Sequence, residues 1–331
     1  MATLRRLLER RATPLPKRAQ AIVVGVTGIS LLVAAGWAWR STDLTLATVT
    51  WWPIAVAFLV ISPVTLGAKM LEYDAASRIV GARAPWRRAF DVSIVSAAAN
   101  LLPLPGSVIV TTQAISEQGA SYGSAVVAST IPGLAWLGLS GLVGGTAIAV
   151  AGGAVVGMLI ASAGAVVSAA AVVAFRRTAV GDGRMAIAVR IVLIEVAWIG
   201  LSGLRFWLLL RTLDVDASPA QVLALAVAGA MTVAIGFVPG GLGVREALIA
   251  ALSPIISLPV ADGLLLGVID RVVWLSFLAL AAVVAAATRG RSAAGGRGED
   301  GSEFVDEGGV GVVLGEDGTT GGGDGPAGLP A

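Results

Sequence analysis

The sequence lacks two residue types on which much enzyme chemistry depends: it has no cysteine and no histidine. This excludes disulfides, thiolate nucleophiles, cysteine-ligated metals, Ser-His-Asp triads and imidazole-bound zinc. The only lysines, Lys17 and Lys69, lie outside any G-x-x-x-x-G-K-[ST] loop, so no P-loop is present to hold ATP. The sequence therefore predicts no metal site, no cofactor and no catalytic residue set of these kinds.

Charge is also scarce. Only 13% of the 331 residues are charged, 56% are hydrophobic, and the mean hydropathy is +0.87. A soluble domain of this length does not need so much apolar surface to fill one core. The composition excludes an ordinary cytosolic enzyme and predicts an all-α, polytopic bundle of membrane helices.

The charges are unevenly distributed. Residues 1–298 contain 23 basic and 13 acidic side chains, a net charge of +10, whereas the residues beyond carry eight acids and no base. A basic membrane protein suits anionic lipid headgroups. Basic patches interleaved with aromatic residues, typical of nucleic-acid binding, are absent. The expected partners are the bilayer and an anionic lipid, not nucleic acid.

Three regions follow from this pattern. Residues 1–18 form a basic arm with six Arg or Lys and one acid, of the kind that stays in the cytoplasm. Residues 19–288 form the integral membrane domain. Residues 289–331 are Gly-rich and acidic and cannot bury enough apolar surface to fold, so we expect a disordered tail. The prediction is a multi-pass protein of the cell (plasma) membrane with both termini in the cytoplasm.

Eight apolar segments are present, and six are long enough to span about 30 Å of hydrocarbon as helices. The six are 19–38, 51–71, 123–144, 147–175, 187–210 and 258–288. The other two, 89–118 and 220–252, are broken by Pro and Gly, so each predicts two half-helices around an irregular turn.

The broken segments are either re-entrant hairpins or kinked spanning helices. The re-entrant arrangement keeps the arginines of residues 176–184 in the cytoplasm, as the positive-inside rule favours. Two such hairpins entering from opposite faces would form an inverted repeat with a substrate site between them. Small-residue spacings at Gly141 to Gly145 and Gly153 to Gly157 predict close helix packing within the chain in preference to homodimerisation.

Charged side chains inside apolar helices are costly, which makes them candidates for function. They are Glu195, Arg205, Arg245, Glu246, Asp270 and Arg271. These groups could bind a substrate. Alternatively they neutralise one another, for example Glu246 with Arg271 or Asp270 with Arg245.

The second glycine-rich turn leads into a half-helix beginning near Val244. Its backbone N–H groups carry a partial positive charge, and Arg245 lies in its first turn. Together they predict a seat for a phosphate or carboxylate group. The comparable positions of the first broken segment, Thr111, Thr112 and Gln113, offer hydrogen bonds but no charge.

The sequence from Gly236 to Glu246, Gly-Phe-Val-Pro-Gly-Gly-Leu-Gly-Val-Arg-Glu, resembles a motif of the lysylphosphatidylglycerol synthase transmembrane-region family, as does Asp270-Arg271. Asn100 to Gly106 resembles the family's first motif, and the resemblance covers about residues 19–288. It implies a flippase-like bundle that moves or holds an anionic, aminoacylated or polyprenyl-linked lipid. The aminoacyl-transferase domain of the synthases is absent, so lipid aminoacylation by this chain is not expected.

The motifs and the intramembrane charges together give the candidate substrate-binding residues. They are Asn100, Pro103, Gly106, Glu195, Pro239, Gly240, Gly241, Gly243, Arg245, Glu246, Asp270 and Arg271. Where the family's first motif continues to a glycine-acid pair and an arginine, this chain has Ser107-Val108 and Thr111-Thr112, which leaves the lipid unidentified.

The leading hypothesis is translocation or scrambling of such a lipid without an ATPase in the same chain. The alternative is a membrane-embedded enzyme acting on a lipid-linked substrate, with Glu246, Asp270 or Glu195 as acid or base. A third possibility, an accessory subunit of a separately encoded transferase, is compatible with either.

Overall fold

The computed structural model describes residues 33, 35–42, 49–100, 106–180, 183–235 and 243–295, with the backbone alone for 229–235 and 288–295. These residues form helices and connecting turns without any strand, which confirms the all-α class. The basic arm, most of the predicted span 19–38 and the tail beyond 295 lie outside these ranges. The chain divides into two units, Met1–Ala285 and Ala286–Ala331, and the second contains the last turns of the final helix.

Besides a helical stretch at residues 35–40, nine helices are described from residue 52 onward. They are α1 (Trp52–Ile79), α2 (Trp86–Ala99), α3 (Gly106–Ser116), α4 (Tyr122–Val150), α5 (Ala154–Thr178), α6 (Arg184–Thr212), α7 (Pro219–Ile235), α8 (Val244–Leu252) and α9 (Val260–Gly295). A 3₁₀ turn, Ser253–Ile256, follows α8. Within α1, Ala57–Ile61 form a π-helical turn just before Pro63, whose missing N–H disrupts the regular α-helical hydrogen bonding.

Five of these helices are long and apolar enough to cross a membrane: α1, α4, α5, α6 and residues Val260–Ala287 of α9. They coincide with five of the six predicted spans, and the sixth, 19–38, lies largely outside the described residues. The chain is therefore a multi-pass membrane protein.

The four shorter helices form two pairs. Helices α2 and α3 occupy the first Pro/Gly-broken segment, and α7 and α8 occupy the second, with each helix packed against its partner. They contain 14, 11, 17 and 9 residues. At about 1.5 Å per residue none of them alone reaches across about 30 Å of hydrocarbon. Two helices per broken segment are as predicted, whereas re-entrance remains a prediction.

Helices α4 and α5 approach closely through glycines. A methyl group added at Gly145 would collide with backbone atoms of Gly157 and Ala161, and one at Gly141 would lie 2.8 Å from the Cα atom of Gly164. Such contacts allow two helix backbones to pack with the dispersion contact that drives association in lipid. The predicted packing through small residues within the chain is therefore confirmed for this pair.

The buried and the exposed residues of α5 differ in size. Its buried residues are the small Gly157, Gly164 and Ala171, whereas large apolar side chains such as Leu159 and Val166 are exposed. In water this arrangement would be unfavourable, but in a bilayer the exposed side chains contact lipid tails. The pattern supports a membrane location for this helix.

Candidate functional site

The start of α8 is set by a glycine with positive φ. Gly243 has φ +78°, a conformation that glycine adopts without steric cost, and it directly precedes Val244, the first residue of the helix. The side chain of Glu246 turns back so that its Oε2 accepts a hydrogen bond from the Gly243 N–H at 2.9 Å. The helix begins where the sequence predicted, but Glu246 already occupies part of the predicted anion seat.

Five charged side chains from three helices meet beside this helix start, and we call them the arginine cluster: Arg205 of α6, Arg245 and Glu246 of α8, and Asp270 and Arg271 of α9. Asp270 is central, because its Oδ1 lies 2.6 Å from Arg205 Nε and its Oδ2 lies 2.7 Å from Arg245 Nη2. Glu246 Oε1 lies 2.6 Å from Arg271 Nε. The cluster joins the second half-helix pair to two spanning helices.

The cluster is buried to different degrees. The two carboxylates are inaccessible to solvent, and the side chains of Arg205 and Arg271 are nearly so. Arg245 is the most accessible, with 18% of its side chain exposed. Its guanidinium lies over the Phe206 ring at 5.6 Å, and that of Arg205 lies over Trp274 at 5.5 Å. Aromatic faces stabilise the cations without neutralising them.

The formal charges of the cluster do not cancel. Among the described side chains, three guanidinium groups face two carboxylates, a net charge of +1 in a buried setting. Arg245 Nε has no hydrogen-bond partner among the residues that the structure describes. Chemically, the arrangement can accept one further anionic group, and Arg245 is the arginine most accessible to it.

Both ion pairs anticipated from the sequence are present, Glu246 with Arg271 and Asp270 with Arg245. The structure adds Arg205, which the sequence marked only as a charge in the fifth span. The position of Arg205 in the sequence did not predict its partner, because Arg205 and Asp270 are 65 positions apart and meet only through helix packing.

The first half-helix pair is held together by the residues of its motif. Asn100 ends α2, and its Oδ1 accepts a hydrogen bond from the Ser107 N–H at 3.1 Å, which links it to the start of α3. Gly106 is buried against the carbonyl group of Ala99, where no Cβ would fit. In the structure these two residues make contacts within the hairpin. Pro103, like Pro239, Gly240 and Gly241, lies outside the described residues.

The hydrogen-bonding residues predicted for this pair have separate surroundings. The buried Thr112 shares a hydrogen bond of 2.7 Å with Ser129 of α4, and Gln113 donates to Glu117 at the surface. Thr111 lines a small polar cavity between α1, α2, α3 and α4. The three side chains thus do not form one site.

Glu195 does not join the arginine cluster. It lies ten residues before Arg205 on α6, about 15 Å along the helix axis. It is 1% exposed, and the charges of Glu72 and Lys69 on α1 act on its carboxyl group. Lys69 Nζ lies 2.8 Å from Glu72 Oε2, and the polar cavity borders both side chains.

The sequence did not identify the Lys69–Glu72 pair as part of a site, because a span ending at residue 71 leaves Lys69 at its edge and Glu72 in the following loop. The helix continues to Ile79, so both side chains lie inside it. A detectable signal was present, since a Lys followed by a Glu three residues later predicts a same-face ion pair when the helix continues.

An open apolar groove of about 500 Å³ lies elsewhere, between α4 and α7. Its lining residues include no charged side chain: Leu142, Val143, Thr146, Ala147, Val150, Pro219, Ala220 and Leu223. It has room for a hydrocarbon chain, but it offers no counter-charge for a headgroup.

Comparison with known proteins gives one family. Residues 175–282, about a third of the chain, match the family described as lysylphosphatidylglycerol synthase TM region. No curated protein matches the chain. The matched residues contain the whole arginine cluster and Glu195, whereas the motif from Asn100 to Gly106 lies outside them. The match confirms the resemblance seen in the sequence: residues 175–282 are similar to the lysylphosphatidylglycerol synthase transmembrane-region family.

Proposed function

We propose that the protein binds an anionic lipid headgroup at the arginine cluster and translocates or scrambles that lipid across the bilayer. The observation that carries the proposal is the net charge of +1 on the buried cluster, with three arginines against two carboxylates. A buried charge in excess among the described side chains favours an anionic partner. An anionic group placed against Arg245 would remove the imbalance.

Arg245 is the residue best suited to contact the headgroup. It is the most accessible of the three arginines, and its Nε lacks a hydrogen-bond partner in the described part of the chain. Its planar guanidinium can donate two parallel hydrogen bonds to a phosphate, which a lysine ammonium cannot do. Asp270 holds Arg245 by one nitrogen and leaves other donors for a ligand.

Glu246 and Asp270 are poorly suited to the enzymatic alternative. Each carboxylate lies within 2.7 Å of at least one guanidinium nitrogen. Both oxygens of Asp270 contact arginines, and those of Glu246 contact Arg271 and the Gly243 N–H, so neither carboxylate presents an unoccupied oxygen to a substrate. An enzyme would change the lipid chemically, so mass spectrometry of the lipid before and after incubation with the protein distinguishes the two functions.

Binding of phosphatidylglycerol to the purified protein tests the headgroup site. We expect Arg245→Ala to weaken binding by about 1.5 to 3 kcal/mol, the scale of a charge-assisted hydrogen bond, and Arg245→Lys to restore only part of it. Arg211→Ala is the matched control, because Arg211 is a half-exposed arginine paired with Asp216. Unchanged binding by Arg245→Ala, or an equal loss in the control, would refute the site.

Translocation needs its own measurement. Vesicles of phosphatidylcholine containing fluorescent phosphatidylglycerol allow the outer leaflet to be quenched by a reagent that cannot cross the membrane. Wild-type protein should make the inner-leaflet probe accessible, and Arg245→Ala should slow this exchange. Equal exchange with and without protein would contradict the proposed function even if binding persists.

A further inference from the structure

Glu195 is an ionisable side chain that the proposed headgroup site does not use. It is 1% exposed, and its Oε1 has neither a hydrogen-bond nor an ion-pair partner among the described residues. A carboxylate without a partner in an apolar environment is costly, and the group avoids this cost by taking up a proton. An acid in this position is poised to exchange a proton if water can reach it.

The charged neighbours of Glu195 come from α1. Lys69 Nζ lies 5.0 Å from the Trp198 ring centre, and Trp198 follows Glu195 by one helical turn on the same face. Lys69 is itself held by both oxygens of Glu72, at 2.8 and 3.0 Å. About one further turn along α1, Asp74 contacts Arg78 and Arg190, each at 2.9 Å.

Of the other described helices, α8 and α9 contact α6 at Phe206 and Arg205, ten or more residues from Glu195, where they bring the charges of the arginine cluster. The contacts of α4 and α7 with α6 add no charge. Helix α4 contains no Asp, Glu, Lys or Arg, and its one tyrosine, Tyr122, stands at its first position. Helix α7 contains no titratable side chain. The Glu195 environment is therefore set by Lys69 and Glu72, two carboxylates against one ammonium group, with one negative charge in excess.

The Lys69–Glu72 pair also borders the small polar cavity between α1, α2, α3 and α4. The cavity has a volume of about 20 Å³, enough for about one water molecule. Lys69, Glu72 and Tyr73 border it together with five hydroxyl groups: Ser93, Ser96, Ser107, Thr111 and Ser129. Ser93 is 1% exposed, and its Oγ has no hydrogen-bond partner among the described residues. Hydroxyl groups around a water-sized space can relay protons, because each both donates and accepts hydrogen bonds.

We propose that Glu195, with the Lys69–Glu72 pair and the adjoining hydroxyl-lined cavity, is a proton-binding site whose occupancy is coupled to lipid translocation. The carboxylate takes a proton from a hydronium ion and leaves water. In the reverse step the carboxylic acid returns that proton to water. Protonation cancels the excess negative charge of the three side chains, and deprotonation restores it. The coupling rests on the proposed function, whereas proton binding by Glu195 does not.

Infrared difference spectra of the purified wild-type protein test proton binding directly. We expect the carbonyl band of a protonated carboxylic acid at about pH 6, where exposed carboxyl groups are ionised, and its loss as the pH is raised to about pH 10. Glu195→Gln should remove that titrating band, and Glu117→Gln, a change of an exposed surface glutamate, should keep it. A band that persists across the whole range would identify a permanently neutral structural acid and overturn the proposal. Absence of the band from the wild-type spectra, or its presence in the Glu195→Gln spectra, would also overturn the proposal.

A vesicle assay with fluorescent phosphatidylglycerol tests the coupling. An imposed pH gradient should accelerate exchange by the wild-type protein, and Glu195→Gln should abolish that acceleration. If a sodium gradient accelerates lipid exchange and a pH gradient does not, the proton is not the coupled ion. Absence of any exchange by the wild-type protein would refute the translocation function and with it the coupling, while the infrared band alone decides whether Glu195 binds a proton.

Discussion

Asp270 Oδ1 and Arg205 Nε lie 2.6 Å apart although the two residues are 65 positions apart in the sequence. The contact joins α9 to α6, and the second oxygen of the same carboxylate reaches Arg245 on α8. One aspartate thus connects the second half-helix pair with two spanning helices. Its charge holds two of the three arginines in place.

Asp270→Asn should therefore be among the most damaging substitutions in the chain. It leaves Arg205 and Arg245 buried without their carboxylate, and breaking a buried pair in this way costs about 3 to 5 kcal/mol. Chemical or thermal unfolding of the detergent-solubilised protein measures the loss. Asp216→Asn removes the partner of Arg211 at an exposed position, so its effect should be at most about 0.5 kcal/mol. Equal stabilities for the two variants would contradict the role assigned to Asp270.

Arg245 and Arg271 should differ when each is replaced by alanine. Loss of Arg245 leaves Asp270 paired with Arg205, so the fold should remain and lipid binding should fall. Loss of Arg271 removes the guanidinium from Glu246, a buried carboxylate whose remaining partner among the described residues is the Gly243 N–H, so stability should fall by several kcal/mol. Stability and phosphatidylglycerol affinity measured on the same two preparations separate these effects. If the two variants lose the same stability and the same affinity, the different ion-pair partners of Arg245 and Arg271 do not explain the effects of their loss.

Gly145→Ala should destabilise the protein by about 1 to 3 kcal/mol, because the new methyl group would overlap the backbone of α5. Gly133→Ala is the matched control on the same helix. A Cβ atom at Gly133 meets open space. Replacement of a helical glycine by alanine raises the free energy of unfolding by about 0.5 to 1 kcal/mol. Unfolding of both variants in the same detergent makes the comparison. A tolerated Gly145→Ala would mean that α4 and α5 do not pack as closely as described.

Topology can be tested because the chain has no native cysteine. With two re-entrant hairpins, Gly183→Cys before α6 should face the cytoplasm and Asp216→Cys after it should face outward. A membrane-impermeant thiol reagent applied to intact cells should label only Asp216→Cys. Labelling of Gly183→Cys instead would indicate that the first broken segment crosses the membrane fully and would contradict its re-entrance.

The sequence by itself determined the fold class and most of the element boundaries. Apolar run length alone predicted five of the candidate spans, because a helix that crosses hydrocarbon must satisfy its own backbone and show only apolar side chains to lipid. The same reasoning placed two helices in each broken segment and the start of α8 near Val244, where Pro and Gly interrupt regular hydrogen bonding. These are local properties, and local sequence encodes them.

Only the tertiary structure decided which charges meet. The sequence marked Glu195, Arg205, Arg245, Glu246, Asp270 and Arg271 as charges in apolar segments, and it named all of them except Arg205 as candidate binding residues. Helix packing separated Glu195 from the others, added Arg205 to the arginine cluster and brought Lys69 and Glu72 towards Glu195. The rotation and depth of each helix fix these partners, and both depend on side-chain contacts between helices distant in sequence, which no single segment contains.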